Sequence, residues 1–434
     1  MSLIIKKTQS LHGTLTVPAS KSQTVRALLI GALACGTSKI ENVLECEDTR
    51  SAEGVLKELE VEIEKDGTMW TLKSSGLPLK TADKNFYTGD SGITTRFLLP
   101  LLGLGDGPCT LDASPQMRAR PILPLLEALN RLGMRIETSS VGVWPLKVNG
   151  HFLGGETSVD GTTSQYLSGL LLASPYAEKN TILHMQNLNE KPYVDMTLSW
   201  LKDAGILYDH RVDGDMSGGE TFIVKAGQKF KPLNIKIPGD FSSASCIIVA
   251  AALLGSADGV RLLGLSKNDS QGDKKLVDIL AAAGADISWE GDELLVRGGT
   301  ALKGGKVDAN EVPDLVPALA VLGTKMQGGL EISNVPQARI KETDRIRSMA
   351  EGLKKMGAEI EEKKDGLIVG QSKLKGACVD GFDDHRTVMA LSVAGLIAEG
   401  ETRVHGAEAI KKTFPNFVEK MRVLGADFTV ENSN

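Results

Sequence analysis

Six times along the chain, a short polar cluster stands directly before an apolar run of helical length. Each pattern predicts a helix that begins at polar residues and continues into a buried core. The polar clusters lie at residues 20–22, 89–92, 162–165, 239–243, 313–314 and 383–386. Their spacing of about 70 residues is typical of an internally repeated architecture. Because backbone N–H groups at helix N-termini bind anions, six such starts that converge would form one site for strongly anionic ligands.

Each repeat continues with a strand-like stretch, a second amphipathic helix and a turn of small residues. Glycine follows five of the six second helices, as a left-handed helix stop requires, and Glu60 takes this place in the first repeat. Stretches of alternating polarity follow four of the helices, at residues 61–64, 135–138, 286–289 and 359–362. The pattern predicts a βαβαββ unit that occurs six times, and therefore an α/β fold.

Six copies divide naturally into two lobes of three. The candidate crossing points are residues 17–19 and 231–239. We therefore predict one discontinuous lobe of residues 1–18 with 238–434, and a second lobe of residues 19–237. Since no long linker intervenes, we expect two close lobes with the active site in the cleft between them.

Composition excludes several classes of function. A net charge of −6 argues against nucleic-acid binding through overall charge, and 4% aromatic residues argue against a stacking surface for single strands. The five cysteines show neither zinc-site spacing nor a disulfide framework, so we expect buried free thiols and no metal. Without a signal-peptide pattern or an apolar run of membrane-spanning length, we expect a cytoplasmic protein that does not bind membranes.

Charged residues in and near the clusters are the candidates for chemistry. Cations here suit phosphate or carboxylate, and the alternative of a plain surface salt bridge is weakest for Lys21 and Arg386. Asp314 and Glu342 are predicted to divide acid and base work, with a helix cap and a helical ion pair as their respective alternatives. His385 is either a proton carrier or a structural hydrogen-bonding residue.

Neutral hydrogen-bonding groups complete the candidate set. Residues with a hydroxyl or amide at helix starts suit substrate hydroxyls and phosphate oxygens, although capping explains each one singly. These residues are Ser22, Thr163, Ser164 and Gln165.

Motifs in a fixed order carry a resemblance to a known enzyme family. They are Lys21-Ser22…Arg26, Gly89-Asp90-Ser91-Gly92…Arg96, Arg120-Pro121, Ser164-Gln165, Lys191-Pro192-Tyr193, Gly239-Asp240, Pro313-Asp314, Lys341-Glu342-Thr343-Asp344-Arg345, Asp384-His385-Arg386 and Lys412-Thr413-Phe414-Pro415. Together they resemble the 5-enolpyruvylshikimate-3-phosphate (EPSP) synthases of the enolpyruvyl transferase superfamily. The resemblance implies a transferase that moves the enolpyruvyl group of phosphoenolpyruvate to the 5-hydroxyl of shikimate 3-phosphate. Phosphate is released, in a step of aromatic amino-acid biosynthesis.

The resemblance also implies a set of site residues. Phosphoenolpyruvate would be held by Lys21, Gly92, Arg120, Gln165, Arg345, Arg386 and Lys412. Shikimate 3-phosphate would be held by Lys21, Ser22, Arg26, Thr163, Ser164, Gln165, Tyr193, Asp314, Gln337 and Lys341. Asp314 would be the base for the 5-hydroxyl, Glu342 would help to move the proton to the methylene carbon, and Lys21 would assist. The resemblance further implies an inside-out α/β barrel in each lobe, a monomer, no cofactor, and glyphosate as an inhibitor.

Several positions depart from the common family pattern. Asp90 stands where asparagine is usual, and Glu190 stands where a serine often contacts shikimate 3-phosphate. Gln337 replaces an asparagine. Ile93 and Phe97 add bulk beside Gly92, which leads us to expect reduced glyphosate sensitivity.

Two rival functions are compatible with the same residues. The superfamily also includes an enzyme that transfers enolpyruvate to UDP-N-acetylglucosamine through a loop with a reactive cysteine. Residues 114–120, which form this loop here, contain no cysteine, and the nearby Cys109 lies on a predicted strand. A non-catalytic anion-binding paralogue is the second rival, and the presence of Asp314, Glu342 and Lys21 together argues against it.

Overall fold

Two N-terminal strands belong to the same compact unit as the C-terminal half of the chain. The computed structural model describes residues 1–139, 142–212 and 219–432. It divides into a C-terminal unit, residues 1–20 with 238–434, and a middle unit, residues 21–237. The N-terminal strands are β1 (Ser2–Lys6) and β2 (Leu11–Thr16).

The middle unit alternates helices and short strands. In order these are α1 (Lys21–Leu33), β3 (Gly36–Glu41), α2 (Glu47–Glu58), β4 (Glu62–Asp66), β5 (Met69–Ser74), β6 (Asn85–Tyr87), α3 (Gly92–Leu102), β7 (Cys109–Asp112), α4 (Pro115–Arg118), α5 (Leu123–Arg131), β8 (Met134–Glu137), β9 (Leu146–Gly150), β10 (Gly155–Asp160), α6 (Ser164–Ala173), β11 (Thr181–Gln186), α7 (Lys191–Asp203), β12 (Tyr208–Val212), β13 (Glu220–Val224) and β14 (Asn234–Lys236). A 3₁₀ turn, Ser174–Tyr176, follows α6.

The C-terminal unit follows the same alternation. Its remaining elements are α8 (Phe241–Leu254), β15 (Gly255–Leu263), α9 (Lys275–Ala282), β16 (Asp286–Glu290), β17 (Glu293–Arg297), β18 (Lys303–Asp308), α10 (Val316–Gly323), β19 (Gln327–Ser333), α11 (Arg345–Lys355), β20 (Ile360–Lys363), β21 (Gly366–Val369), β22 (Cys378–Asp380), α12 (His385–Ile397), β23 (Glu401–His405), α13 (Phe417–Val423) and β24 (Phe428–Glu431). Shorter 3₁₀ turns span Gly272–Lys274, Pro313–Leu315, Pro336–Ile340 and Ala407–Lys412.

The described strands form six four-stranded sheets, three in each unit. In a typical sheet, β6 is parallel to β7, and the hairpin of β8 and β9 adds to β7 in antiparallel fashion. The sheet order is therefore first, second, fourth and third strand of the repeat, and the predicted α/β class with βαβαββ repeats is confirmed.

One sheet in each unit recruits a strand from the other end of that unit's chain. In the middle unit β14 pairs with β3, and in the C-terminal unit β1 lies between β23 and β24. Strand β2 pairs with β15, from which the whole middle unit separates it along the sequence. This pairing explains why the first 20 residues belong to the C-terminal unit.

The first helix of each repeat forms the interior of its unit. All residues of α3 and α12 are buried, and beyond their polar starts both helices are mostly apolar on every face. Helix α3 packs on α1 and α6, and α8, α10 and α12 pack on one another. Strands such as β10 alternate buried and exposed residues, so one sheet face covers the helices. Each unit by itself thus has the expected arrangement of helices inside and sheets outside.

The six predicted polar clusters all lie at the starts of these inner helices. Helices α1, α3, α6, α8 and α12 begin within or directly beside their clusters, and α10 follows the 3₁₀ turn that contains Asp314. Of the cysteines, Cys46, Cys109 and Cys246 are buried free thiols as expected, whereas Cys35 and Cys378 are exposed. None of the helices in the described part of the chain combines the length and apolar character that a membrane span requires.

Candidate active site

Arg345 is the centre of a buried ion-pair cluster in the C-terminal unit. It is the first residue of α11, and its side chain is 1% exposed. Its Nη1 donates to Asp314 Oδ1 at 2.6 Å, its Nη2 to Glu342 Oε2 at 2.7 Å, and its Nε to Asp384 Oδ2 at 2.9 Å. The planar guanidinium therefore holds three carboxylates in one fixed arrangement.

The start of α12 aligns the same cluster. Asp384 is the N-cap, and its Oδ1 accepts the backbone N–H of Arg386 at 2.8 Å and of Thr387 at 2.9 Å. An aspartate suits this position because it satisfies amide donors that lack an intrahelical partner. With its second oxygen on Arg345, Asp384 links the starts of α11 and α12.

Asp314 lies between two guanidinium groups. Its Oδ1 binds Arg345, and its Oδ2 lies 2.8 Å from Nη2 of Arg386. Burial raises the pKa of the Asp314 carboxyl, but the charges of Arg386, Arg345 and Lys341 outweigh burial and hold the pKa well below its usual range. For Arg345, burial lowers the pKa of the guanidinium, but the surrounding carboxylates raise it by more, so that the pKa lies above its usual value. Both groups are therefore charged in the protein as described.

A loop with a strained backbone contacts Lys412, the last of the predicted cationic site residues. Phe382 and Asp383 both have positive φ, which non-glycine residues rarely adopt. Lys412 donates to the carbonyl of Asp383 at 3.0 Å and lies 3.2 Å from its carboxylate. Conformational strain of this kind is typical of functional sites.

Two further candidate residues of the C-terminal unit, Gln337 and His385, are also buried. The amide of Gln337 donates to the carbonyl of Asn310 at 2.7 Å. His385, the first residue of α12, is 1% exposed.

In the middle unit, Lys21 opens α1 and pairs with a carboxylate from α2. Its Nζ lies 3.0 Å from Asp48 Oδ2, and both side chains are largely buried. An ammonium group carries three donors and a full positive charge, so this position at a helix start suits an anionic ligand.

Gly92 and Arg120 are in direct contact at the start of α3. A Cβ atom placed on Gly92 would lie 2.6 Å from Nη1 of Arg120, so only glycine leaves the guanidinium its present position. Beside them, Asp90 accepts a hydrogen bond from the hydroxyl of Ser114. The extra negative charge at Asp90 therefore has a hydroxyl donor of its own.

The start of α6 brings together hydroxyl, amide and carboxylate groups. Arg96 donates to Oε1 of Gln165 at 2.7 Å, which leaves the amide nitrogen of Gln165 to donate to an anion. Oε2 of Glu190 accepts hydrogen bonds from the hydroxyls of Thr163 and Ser164 and from the backbone N–H of Ser164.

Arg26 holds the helices of this unit together. Its buried guanidinium donates to Thr197, to the carbonyl of Ser22 and to the carbonyl of Tyr193, at 2.8–2.9 Å. Burial lowers the pKa of Arg26 to about 9, an effect that Tyr193 opposes. The side chain thus positions the segments that carry Ser22 and Tyr193.

Comparison with known proteins identifies the family. The family model of EPSP synthase (3-phosphoshikimate 1-carboxyvinyltransferase) matches residues 5–421. The chain belongs to the EPSP synthase family. It is 43% identical over 430 residues to the 3-phosphoshikimate 1-carboxyvinyltransferase of Acetivibrio thermocellus, with 99% of each chain covered. It is 40% identical over 437 residues to that of Methanocaldococcus jannaschii, again with 99% of each covered.

Solved structures agree with this membership. The EPSP synthase of Acinetobacter baumannii superposes with a TM-score of 0.84 at 26% identity, over 100% of both chains. The members of this family are transferases. Among the described residues, no group of three or more His, Cys, Asp or Glu side chains is arranged to hold a metal ion.

The structure brings most of the predicted site residues into two sets. Asp314, Glu342, Arg345 and Arg386 form one connected cluster in the C-terminal unit. The middle unit holds the second set. In it the hydroxyls of Thr163 and Ser164 donate hydrogen bonds to Glu190, and Gly92 contacts the guanidinium of Arg120.

Sequence reasoning missed several of the partners. Asp48 was missed, since an acidic residue in the first turn of a helix is ordinary. Asp384 belongs to one of the family motifs but received no role of its own, although its position before an apolar helix indicates a cap.

Proposed function

We propose that this protein catalyses enolpyruvyl transfer from phosphoenolpyruvate to the 5-hydroxyl of shikimate 3-phosphate, with release of phosphate. The observation that carries the proposal is Asp314 held between Arg345 and Arg386, a carboxylate placed among groups that bind anionic substrates. Membership of the EPSP synthase family supports the same reaction.

Both sets of residues are proposed to act on one pair of substrates. Phosphoenolpyruvate would be bound by Lys21, Gly92, Arg120, Gln165, Arg345, Arg386 and Lys412. Shikimate 3-phosphate would be bound by Lys21, Ser22, Arg26, Thr163, Ser164, Gln165, Tyr193, Asp314, Gln337 and Lys341. For Arg26, the contribution is through the position of Ser22 and Tyr193.

The reaction is proposed to proceed by addition and elimination. Asp314 takes the proton of the 5-hydroxyl, and the hydroxyl oxygen of shikimate 3-phosphate forms a bond to C2 of phosphoenolpyruvate. At the same time C3 gains a proton with the help of Glu342 and Lys21. The tetrahedral intermediate then loses a proton from C3, and the C2–O bond to phosphate breaks. The cations stabilise the departing phosphate.

The acidity of Asp314 constrains the order of events. In the ligand-free protein two guanidinium groups keep this carboxylate a weak base. A substrate anion that binds Arg345 and Arg386 would neutralise part of their charge and raise the basicity of Asp314. Binding of phosphoenolpyruvate is thus proposed to activate the base.

The state of Cys109 supports shikimate 3-phosphate over a sugar nucleotide as acceptor. The thiol is buried on β7, and burial raises its pKa to about 12. A reactive thiolate is therefore unfavourable at this position. We further propose a cytoplasmic monomer. We also propose reduced glyphosate sensitivity, because Ile93 directly after Gly92 and Phe97 one helical turn later are both buried in α3.

The test is phosphate release from phosphoenolpyruvate, measured with and without shikimate 3-phosphate. We expect release only with both substrates and a fall of about 100-fold or more in kcat for Asp314→Asn. The matched control is Glu311→Gln, which replaces an exposed acidic residue just before the same 3₁₀ turn and should keep full activity.

Alternative acceptors separate the rival functions. Release with UDP-N-acetylglucosamine in place of shikimate 3-phosphate would reassign the acceptor. Binding of shikimate 3-phosphate without any release would favour a non-catalytic anion-binding protein.

A further inference from the structure

A buried carboxylate covers the start of helix α6. Glu190 is 2% exposed, and a single oxygen, Oε2, accepts three hydrogen bonds. The donors are the hydroxyl of Ser164 at 2.8 Å, the backbone N–H of Ser164 at 3.2 Å and the hydroxyl of Thr163 at 3.3 Å. A backbone amide and two hydroxyls at the first turn of a helix form a typical site for an oxygen of a phosphate group.

The backbone is strained where it places this carboxylate. Glu190 is the N-cap of α7 and has φ of 59°, in the left-handed region that a non-glycine residue occupies only at an energetic cost. Its own side chain makes no capping bond to α7. The carboxylate instead serves the neighbouring helix α6, whose N-cap is Thr163.

The same donors appear in the proposed function. Thr163 and Ser164 are the groups proposed to bind shikimate 3-phosphate, so the role of Glu190 rests on that proposal. We propose that the Glu190 carboxylate occupies a phosphate-oxygen position of this site in the ligand-free protein, and that the substrate phosphate binds by displacing it. Two anions cannot share one set of three donors, because their charges repel at hydrogen-bonding distance.

Glu190 would therefore set the affinity for the phosphorylated acceptor. Every binding event exchanges one anion for another on Ser164 and Thr163, so the net gain is smaller than for an unoccupied site. The product carries the same phosphate, and return of the carboxylate favours its release. Satisfied donors also keep the empty site ordered, since buried amide and hydroxyl groups are costly without partners.

A purely structural role predicts the opposite result for a variant. If Glu190 only capped α6, its removal would loosen the helix start and weaken binding of shikimate 3-phosphate. If it competes with the phosphate, its removal strengthens binding. The sign of the change therefore separates the two roles, even if the variants are somewhat less stable.

The experiment is calorimetric titration of the full-length protein with shikimate 3-phosphate, with unphosphorylated shikimate and with inorganic phosphate. The variants are Glu190→Gln, which removes the charge and keeps the size, and Glu190→Ser, which also empties the space. Glu178→Gln, an exposed charge change in the same unit, is the matched control. Circular dichroism verifies that each variant is folded.

We expect both Glu190 variants to bind shikimate 3-phosphate at least tenfold more tightly than wild type, and to bind shikimate unchanged. The control should match wild type with every ligand. Equal or weaker binding of shikimate 3-phosphate by both folded variants would overturn the role of Glu190 and leave the proposed function intact.

If no protein binds shikimate 3-phosphate, the proposed function fails, and inorganic phosphate still decides the role of Glu190. Phosphate binding gained only in the Glu190 variants would support the competing carboxylate. Identical phosphate titrations in wild type and variants would refute it.

Discussion

Asp384 and Arg345 are joined by a buried hydrogen bond of 2.9 Å between Oδ2 and Nε. The same aspartate caps α12 with its other oxygen. One side chain therefore performs two separable tasks: it fixes the guanidinium of Arg345, and it satisfies the first amides of a helix. Arg345 itself is proposed to bind phosphoenolpyruvate, which makes Asp384 a positioning residue.

Two variants of Asp384 should separate these tasks. Asparagine keeps one acceptor oxygen for the cap but presents its amide nitrogen, a donor, to Nε of Arg345. Asp384→Asn should therefore raise KM for phosphoenolpyruvate about tenfold and lower the free energy of unfolding by about 1–3 kcal/mol. Asp384→Ala should raise KM similarly and lower the free energy of unfolding by a further ~1 kcal/mol, because the cap is lost as well. Steady-state kinetics and urea unfolding measure the two effects. An unchanged KM in the asparagine variant would show that Arg345 does not need this partner.

Gly92→Ala should displace Arg120. The added methyl group would lie 2.6 Å from Nη1, and the guanidinium, as the end of a flexible side chain, is the group that moves. We expect a KM for phosphoenolpyruvate about tenfold higher, with the fold intact, because misplaced binding groups lose affinity steeply. Gly54→Ala is the control: it lies within α2 and would meet open space, so it should keep activity and gain about 0.5–1 kcal/mol of stability. Wild-type kinetics in Gly92→Ala would contradict the contact.

Stability below neutral pH should depend on Asp106 in the middle unit. The backbone N–H groups of Thr81 and Ala82 donate to its Oδ1 and lower its pKa to about 2, an effect that burial opposes and Lys80 assists. The unfolded value is about 3.9. Because the folded pKa is the lower one, this stabilisation is complete above about pH 4 and is lost as the pH falls towards about 2.

We therefore expect Asp106→Asn to unfold at lower urea concentration than wild type at pH 7, with the difference shrinking as the pH falls from about 4 towards about 2. The exposed Asp66→Asn serves as control and should match wild type throughout. A difference that is constant over this range would mean that the charge of Asp106 contributes nothing.

Glu60 occupies a position that favours glycine. It follows α2 with φ of 62°, and glycines with positive φ take the same place after the second helices of the other five repeats. Glu60→Gly should raise the free energy of unfolding by about 0.5–1 kcal/mol, because the left-handed strain disappears. Glu60→Ala removes the exposed ion pair with Lys84 but keeps the strain, and should give no gain.

Gly205→Ala is the reciprocal test at the equivalent position of the third repeat, after α7. Its added methyl group would meet open space, so only the backbone strain at φ of 76° remains, and we expect a loss of about 1–2 kcal/mol. Thermal unfolding measures both changes. Equal stability of alanine and glycine at this stop would refute the conformational argument.

The repeat and its inner helices could be predicted because they depend on local patterns. Apolar periodicity, capping residues and glycine stops each act within a few positions, and all six polar clusters lie at inner helices of the structure. The two-lobe division predicted that residues 1–18 belong with residues 238–434. The strands with which β1, β2 and β14 pair have no local pattern, since they depend on which sheet edge is open in the folded unit.

By itself, the sequence determined which charged and hydroxyl groups stand at helix starts, and thereby the kind of ligand to expect. Only the tertiary structure decided the partner of each group. Asp384 meets Arg345 across 39 positions, and Glu190 meets Ser164 across 26. The physical reason is that helix starts are encoded by neighbouring residues, whereas side-chain contacts of this kind arise only when packing of the cores brings distant segments together.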